Sequence, residues 1–325
     1  VRAPDFWRSR GFVSTLLLPA AGLYAAAGAL RRRMATPWRA PIPVVCVGNL
    51  VVGGAGKTPV VASLARLIAK GGAAPHLLSR GYGGSLAGPV RVDPDRHRAD
   101  EVGDEPLLLA REAPVWVARD RVAGAREAVA AGADLLILDD GFQNPSLAKD
   151  FSLVVVDGAY GFGNGRVLPA GPLRETVSVG LARADAVAVL GEDETGAGAR
   201  CGRLPVLAAV LAPQDAAGLA GARVVAFAGI GRPEKFFATL GALGAQLVAR
   251  HGFADHHPYT EAELVALFAT AERAGARLVT TEKDRVRLPE AWRARVDVLR
   301  VAAEWREPEA LLQLLERVVL SRRAA

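Results

Sequence analysis

Six consecutive residues, Gly53, Gly54, Ala55, Gly56, Lys57 and Thr58, carry the clearest chemistry in the chain, and Pro59 follows them. Glycines at such a turn let backbone N–H groups close on phosphate oxygens. A lysine adds charge at the β- and γ-phosphates, and a threonine hydroxyl is a ligand for Mg²⁺. Pro59 suits the first turn of a following helix, where a missing N–H costs nothing. The six residues are therefore expected to cradle a nucleotide with Mg²⁺. One position departs from the usual pattern: Val51 stands where a glycine five residues before Gly56 is customary. A glycine-rich turn without nucleotide is the alternative.

Two acid pairs come next. Asp139 and Asp140 close an apolar run, Leu135 to Leu138. Carboxylates at the end of such a strand sit where ligands bind in open α/β sheets, and one of the pair is expected to orient Mg²⁺. Asp104 and Glu105 precede Pro106 at the head of a Leu-rich stretch. They read either as caps on a helix dipole or as catalytic groups. In the catalytic reading, phosphoryl transfer to an alcohol needs a group for the hydroxyl proton and a metal ligand, and the two acids divide those tasks. A long glycine-rich loop, 161–175, carries Arg166 and Arg174, suited to phosphate or sugar oxygens or simply solvated. His251, His256 and His257 lie close together without companion ligands, so zinc is not expected. One of these histidines suits proton handling beside a carboxylate.

These side chains need a scaffold that brings distant loops together. Pro43 to Val47 reads as a buried strand leading into the glycine loop. Val60, Val61, Leu64, Leu67 and Ile68 then repeat at helical spacing. Further strands are expected at 135–140, 152–157, 223–228 and 278–281, alternating with Ala-rich helices. That alternation predicts an α/β fold with a mostly parallel sheet. With 325 residues, two domains are expected. A charged, glycine-rich stretch at 191–202 reads as a linker, and a smaller α/β domain follows from about 205. Its Gly229-Ile230-Gly231 turn is too short for a dinucleotide fingerprint, so no NAD is assigned. Hydrophobic residues make up 51% and charged residues 23%, which excludes a disordered chain. Cys46 and Cys201 lie far apart, which excludes a disulfide framework or a cysteine zinc site.

The first forty residues differ from the rest. No charged residue occurs from Gly11 to Leu30, while Arg8 and Arg10 precede the stretch and Arg31, Arg32 and Arg33 follow it. The arginines replace a cleavage site, so a signal peptide fits poorly. The stretch is expected to span a bilayer or insert partly as an anchor, or to lie in the headgroup plane; a soluble helix packed on the body is the remaining alternative. In both membrane readings the arginines place the body on the cytoplasmic side. The net charge of +6 favours anionic partners, although the basic residues are nearly all arginine.

Taken in order, Val47-Gly48-Asn49 before the GGAGKTP loop, SRGYGG at 79–84, VGDEP at 102–106, LDDGFQ at 138–143, the loop at 163–175, FAGIGRP at 227–233, FADHHPY at 253–259 and TTEKD at 280–284 resemble the tetraacyldisaccharide 4′-kinase (lipid A 4′-kinase) family over almost the whole chain. The resemblance implies a P-loop kinase domain at 41–204, an N-terminal membrane-associated helix with its basic flank at 1–40, and a smaller C-terminal α/β domain at 205–325. It implies transfer of the ATP γ-phosphate to the 4′-hydroxyl of tetraacyldisaccharide 1-phosphate, giving lipid IVA in lipid A biosynthesis. The implied partners are that glycolipid and the inner-membrane surface at its cytoplasmic face, not nucleic acid.

Lys57 and Thr58 would hold phosphates and Mg²⁺. Asp104 would act as base helped by His256, the family's Asp-His pair mapping onto Asp255-His256. Glu105, Asp139 and Asp140 would serve the metal. Arg80, Arg119, Arg121, Asn164 and Arg166 are weaker candidates for substrate binding, and His257 falls where no catalytic group is expected. The competing class is a membrane-associated P-loop ATPase or GTPase switch. A guanine-binding motif is not evident, since Glu282-Lys283-Asp284 lacks the spacing. A soluble small-molecule kinase leaves residues 11–30 without a role.

Overall fold

The computed structural model describes residues 4–216 and 218–323, with side chains up to residue 316. The outermost residues of the two terminal segments, 1–3 and 324–325, lie outside the described residues. Two short helices, α1 (Phe12–Leu16) and α2 (Leu18–Met34), come first. The chain then runs β1 (Val44–Gly48), α3 (Lys57–Lys70), β2 (Pro75–Ser79), β3 (Val90–Arg91), α4 (Ala99–Val102), α5 (Asp104–Leu109), β4 (Val115–Val117) and α6 (Arg121–Ala130). It continues through β5 (Leu135–Asp139), β6 (Phe151–Asp157), α7 (Val177–Leu181), β7 (Ala186–Leu190), β8 (Val206–Gln214) and β9 (Arg223–Ala228). Last come α8 (Pro233–Ala242), β10 (Gln246–Gly252), α9 (Glu261–Arg273), β11 (Arg277–Thr281), α10 (Glu282–Arg287), α11 (Glu290–Arg293), β12 (Asp297–Trp305) and α12 (Pro308–Arg323).

One sheet of twelve strands carries these elements, in the order β10-β9-β11-β12-β8-β7-β6-β1-β5-β2-β4-β3. Pairing is parallel except at β3–β4 and β8–β12. This is the mostly parallel α/β sheet that the alternation of runs predicts. The central strands β1, β5 and β6 are buried along their whole length, as strands covered on both faces must be. Each fully buried Val or Leu there contributes about 1.5–3 kcal/mol by removal from water. Helix α3 covers one face of this region with Val60, Val61, Leu64, Ala65 and Ile68.

Strand β1 lies between β5 and β6. The chain leaves β1 toward β2 on one side and returns through β5 before reaching β6 on the other. Strand order reverses here, and the loops beyond the carboxyl ends of β1, β5 and β6 border a crevice. The phosphate loop and Asp139 both emerge at that edge. Strands β8 and β12 form an antiparallel ribbon from Ala209–Trp305 to Gln214–Arg300, which joins the β7-to-β3 half of the sheet to the β10-to-β12 half.

Two sequence expectations need correction. Residues 191–202 are not a loose connection: Asp193 accepts from the N–H groups of Ala197 and Gly198, and Ala197 and Cys201 are buried in the core beside β6 and β7. The uncharged stretch 11–30 does not form a transmembrane span. It breaks at Leu17, which closes α1 and caps α2, with Pro19 in the first turn of α2. At 17 residues α2 is about 26 Å long, short of a hydrocarbon core of about 30 Å, and its last turn holds three arginines. No helix among the described residues is long and apolar enough to cross a membrane.

Candidate active site

Gly56, at φ 77°, caps α3 in the left-handed region that favours glycine, and so starts the helix at Lys57. A side chain there would also strike Leu190, its Cβ lying 2.6 Å from Cδ1. Val51, the departure from the usual pattern, has a structural explanation. It pairs with Leu173 in an isolated antiparallel bridge, flanked by hydrogen bonds from Val52 N to Pro172 O and from Arg174 N to Leu50 O. The Val51 side chain is buried in the core, which a glycine could not fill, and the bridge ties the phosphate loop to the 163–175 loop.

That tie brings Arg174 to Asp140. The guanidinium meets the carboxylate in a fork, at 2.8 Å and 3.0 Å, and Lys57 Nζ approaches the same carboxylate at 3.6 Å. Burial alone would raise the Asp140 pKa, but Lys57 and Arg174 outweigh it and hold Asp140 below the carboxylate range. Asp139 is the opposite case. Burial, with Asp140 and Glu105 nearby, pushes its pKa up to about 6, although Ser79 Oγ donates to it at 3.2 Å. Lys57 is lowered by burial. Asp140 adopts a left-handed φ of 53°, unusual for a non-glycine residue and typical of functional sites.

The second acid pair opens α5. Gly103, at φ 92°, turns the chain between α4 and α5, where a Cβ would lie 2.6 Å from Tyr82 O. Asp104 is buried. Its Oδ2 is hydrogen-bonded to His256 Nδ1 at 2.8 Å and forms an ion pair with Arg287, whose Nε lies 2.9 Å away. Glu105 pairs with Lys283 at 2.5 Å. Burial acts against the charge on both partners, yet their mutual attraction lowers the Glu105 pKa and raises that of Lys283. The bond to Asp104 likewise raises the His256 pKa.

Asp104, Glu105 and His256 form a cluster of metal-ligand types, but one that Arg287 and Lys283 already neutralise. The Asp-His pair is therefore Asp104–His256. Asp255, the sequence neighbour, lies 3.9 Å from Nε2 on the other side of the ring. His257 turns away to Glu263 at 3.0 Å and stacks on Phe253.

The structure brings Gly53 to Thr58, Asp104, Glu105, Asp139, Asp140 and His256 to one end of the sheet, and separates several other candidates. Asn164 is buried and donates to Phe6 O, Ser14 Oγ and Ala170 O, while Arg166 donates to Ser14 Oγ and Thr15 Oγ1. These side chains fasten the N-terminal segment to the body. Arg80 and Arg119 are exposed, and Arg119 reaches only Ser85 O at 3.4 Å. Arg121 is buried, placed by the Asp120 cap of α6, and acts electrostatically on Asp139. Its Nε has no partner among the described residues.

Sequence reasoning missed Lys283 and Arg287, and passed over Arg174 as one of two loop arginines. It also missed Asp157 at the end of β6, which binds Lys235 Nζ at 2.6 Å and the Arg232 guanidinium. Glu282-Lys283-Asp284 is the available signal; it enters the family resemblance and counts against a guanine motif without giving Lys283 a role.

A family model described as tetraacyldisaccharide-1-P 4′-kinase matches residues 13–320. This chain belongs to that family. It is accordingly a kinase. A tetraacyldisaccharide 4′-kinase of Rhodospirillum centenum is 60% identical over 323 residues, covering 97% of this chain and 96% of the relative. Another, from Paramagnetospirillum magneticum, is 56% identical over 321 residues, covering 98% and 99%. The crystal structure of LpxK from Aquifex aeolicus in complex with ATP superposes with a TM-score of 0.77 at 28% identity, covering 95% of this chain and all of that one. Tetraacyldisaccharide 4′-kinase family membership and the P-loop kinase fold thus agree.

Proposed function

We propose that this chain transfers the γ-phosphate of ATP to the 4′-hydroxyl of a tetraacylated glucosamine disaccharide 1-phosphate, with Asp104 as the base. The carrying observation is the pair of buried Asp104 and half-buried His256, set at the same end of the sheet as the phosphate loop. The backbone of Gly53 to Gly56 and the Lys57 ammonium hold the phosphates at the start of α3, where the helix dipole favours negative charge. Asp104 accepts the hydroxyl proton through the oxygen not shared by His256 and Arg287. His256, held on the first oxygen, keeps the carboxylate oriented.

Thr58, Asp139 and Asp140 supply hard oxygen donors of the kind Mg²⁺ takes. Burial raises the Asp139 pKa, and the neighbouring carboxylates Asp140 and Glu105 add to it. Mg²⁺ bound there would neutralise charge on the β- and γ-oxygens. Glu105 joins that set only by exchanging Lys283.

The N-terminal segment supports a peripheral membrane role at the cytoplasmic face of the inner membrane. Phe12 and Leu23 are 83% and 75% exposed, and Leu16, Leu30 and Met34 are exposed with them. Ser14 and Ala21 face the body, so the apolar side is turned outward beside Arg31 and Arg33. We divide the chain at about residue 205, with the β8–β12 ribbon as the join.

Incubation with γ-labelled ATP and the purified disaccharide 1-phosphate tests the reading. Label in the lipid product supports it, and label only in free phosphate points to a nucleotide switch. Phe12→Asp with Leu23→Asp is expected to reduce co-sedimentation with anionic vesicles. Undiminished binding would assign the membrane contact elsewhere.

A further inference from the structure

Helix α10 lies in the half of the chain farthest in sequence from the phosphate loop, yet it packs on α5. Lys283 and Arg287 are four residues apart, so they project from one face of α10 one turn apart. They meet Glu105 and Asp104, which are adjacent at the head of α5. The Arg287 side chain is 6% exposed and that of Asp104 is 5%. A charge this deeply buried is held by several partners at once.

Arg287 uses its whole planar fork. Nε donates to Lys283 O at 3.1 Å and lies 2.9 Å from Asp104 Oδ2 in an ion pair, Nη1 and Nη2 both donate to Gly229 O at 3.1 Å, and Nη1 also reaches His257 O at 3.3 Å. Asp284, fully buried, lies 3.4 Å behind Nη1. It accepts from Gly229 N at 2.8 Å, Tyr259 Oη at 2.6 Å and Thr281 Oγ1 at 2.5 Å. His256 N in turn donates to Gly229 O, and His256 takes a left-handed φ of 57°. The loop after β9, the 253–259 loop and α10 are thus tied at one buried node. That node presents one hydrogen-bonding nitrogen, His256 Nδ1, and one cation, the Arg287 guanidinium, to a single oxygen of Asp104.

We propose that Arg287 is a positioning residue for phosphoryl transfer: it fixes Asp104 Oδ2 from α10 and leaves Oδ1 to the acceptor hydroxyl. The proposal rests on Asp104 being the base. The hydrogen bond with His256 and the Arg287 contact both fall on Oδ2, so the two oxygens differ in role. Arginine suits this task because its donors lie in one rigid plane. A lysine would keep the charge but lose the grip on the 229 and 257 carbonyls.

The test is steady-state kinetics on the full chain with ATP and the disaccharide 1-phosphate. Arg287→Gln is expected to lower kcat by about 10²-fold, the scale of a misplaced catalytic group. The KM for ATP should stay within about threefold, because that substrate is held elsewhere. Arg287→Lys is expected to recover about tenfold of the loss, and it covers the case in which the glutamine variant fails to fold. The deciding measurement is the cycle with Asp104→Asn. If Arg287 acts through Asp104, adding Arg287→Gln to Asp104→Asn costs nothing further. Multiplying losses, or a kcat for Arg287→Gln within twofold of wild type, would overturn the proposal while leaving Asp104 as base. Wild-type turnover by Asp104→Asn would remove the base itself, and the positioning role with it.

Discussion

The two acid pairs make an instructive contrast. Asp139–Asp140 and Asp104–Glu105 are both adjacent carboxylates at element ends, and both lie in the phosphate-loop half of the sheet. The first pair is served within that half, by Ser79, Lys57 and Arg174. The second is neutralised wholly from the other half, by His256, Arg287 and Lys283. On the proposed roles, the acids of the metal site are self-contained, whereas Asp104 is held only when the two halves of the sheet meet. Asp157 repeats the second pattern beside the phosphate loop, bound by Arg232 and Lys235 of α8 and its approach.

The largest effect that sharpens this contrast is expected at Lys57. Lys57→Ala removes the ammonium from the self-contained side and should lower phosphorylation by about 10³-fold or more. Turnover near wild type, followed with labelled ATP, would break the phosphate-loop assignment. Asp104→Asn comes next. It should lower kcat by about 10²–10⁴-fold while ATP affinity, read by titration calorimetry, stays near wild type. A parallel loss of ATP affinity would mean that the two acid pairs are not separable.

Stability gives the third comparison. Lys283→Met strands Glu105 in a largely buried place and is expected to cost about 1–3 kcal/mol in denaturant unfolding. Adding Glu105→Gln should return most of that loss, since no uncompensated charge remains. A double variant as unstable as Lys283→Met alone would show that the lysine acts through other contacts.

The smallest effect is a pH dependence. Asp104 raises the His256 pKa above the ordinary 6.5. A group raised in the folded state stabilises fully below its unfolded value and loses that contribution as pH climbs through the folded value. The melting-temperature gap between wild type and His256→Asn should thus be widest near pH 6 and narrow at higher pH. Asparagine tolerates the left-handed backbone, so the comparison isolates the imidazole. A gap that widens with pH would contradict the pairing.

The same contrast decides what was legible in the sequence. The phosphate loop, the apolar run into Asp139 and the helix behind Lys57 are local patterns, and the structure reproduces them nearly residue for residue. Asp104 and Glu105 were visible as acids before a helix, but spacing left them between capping and catalysis. What separates those readings is the set of partners, and Lys283 and Arg287 lie more than 170 residues away. No periodicity marks which arginine of so many is buried. Asn164 and Arg166 show another limit: a glycine-rich loop reads as ligand-binding, and its bonds to the N-terminal segment leave no local trace in the sequence. The break at Leu17 was hinted at by Pro19, yet counting uncharged residues favoured a longer helix.

The turn that separates Lys283 from Arg287 has a hereditary consequence. Neither cation serves its acid if α10 gains or loses one residue, because the second would rotate about 100° off the shared face. Within this family, positions 105 and 283 are expected to drift as a couple, while 287 is expected to stay fixed with the base at 104.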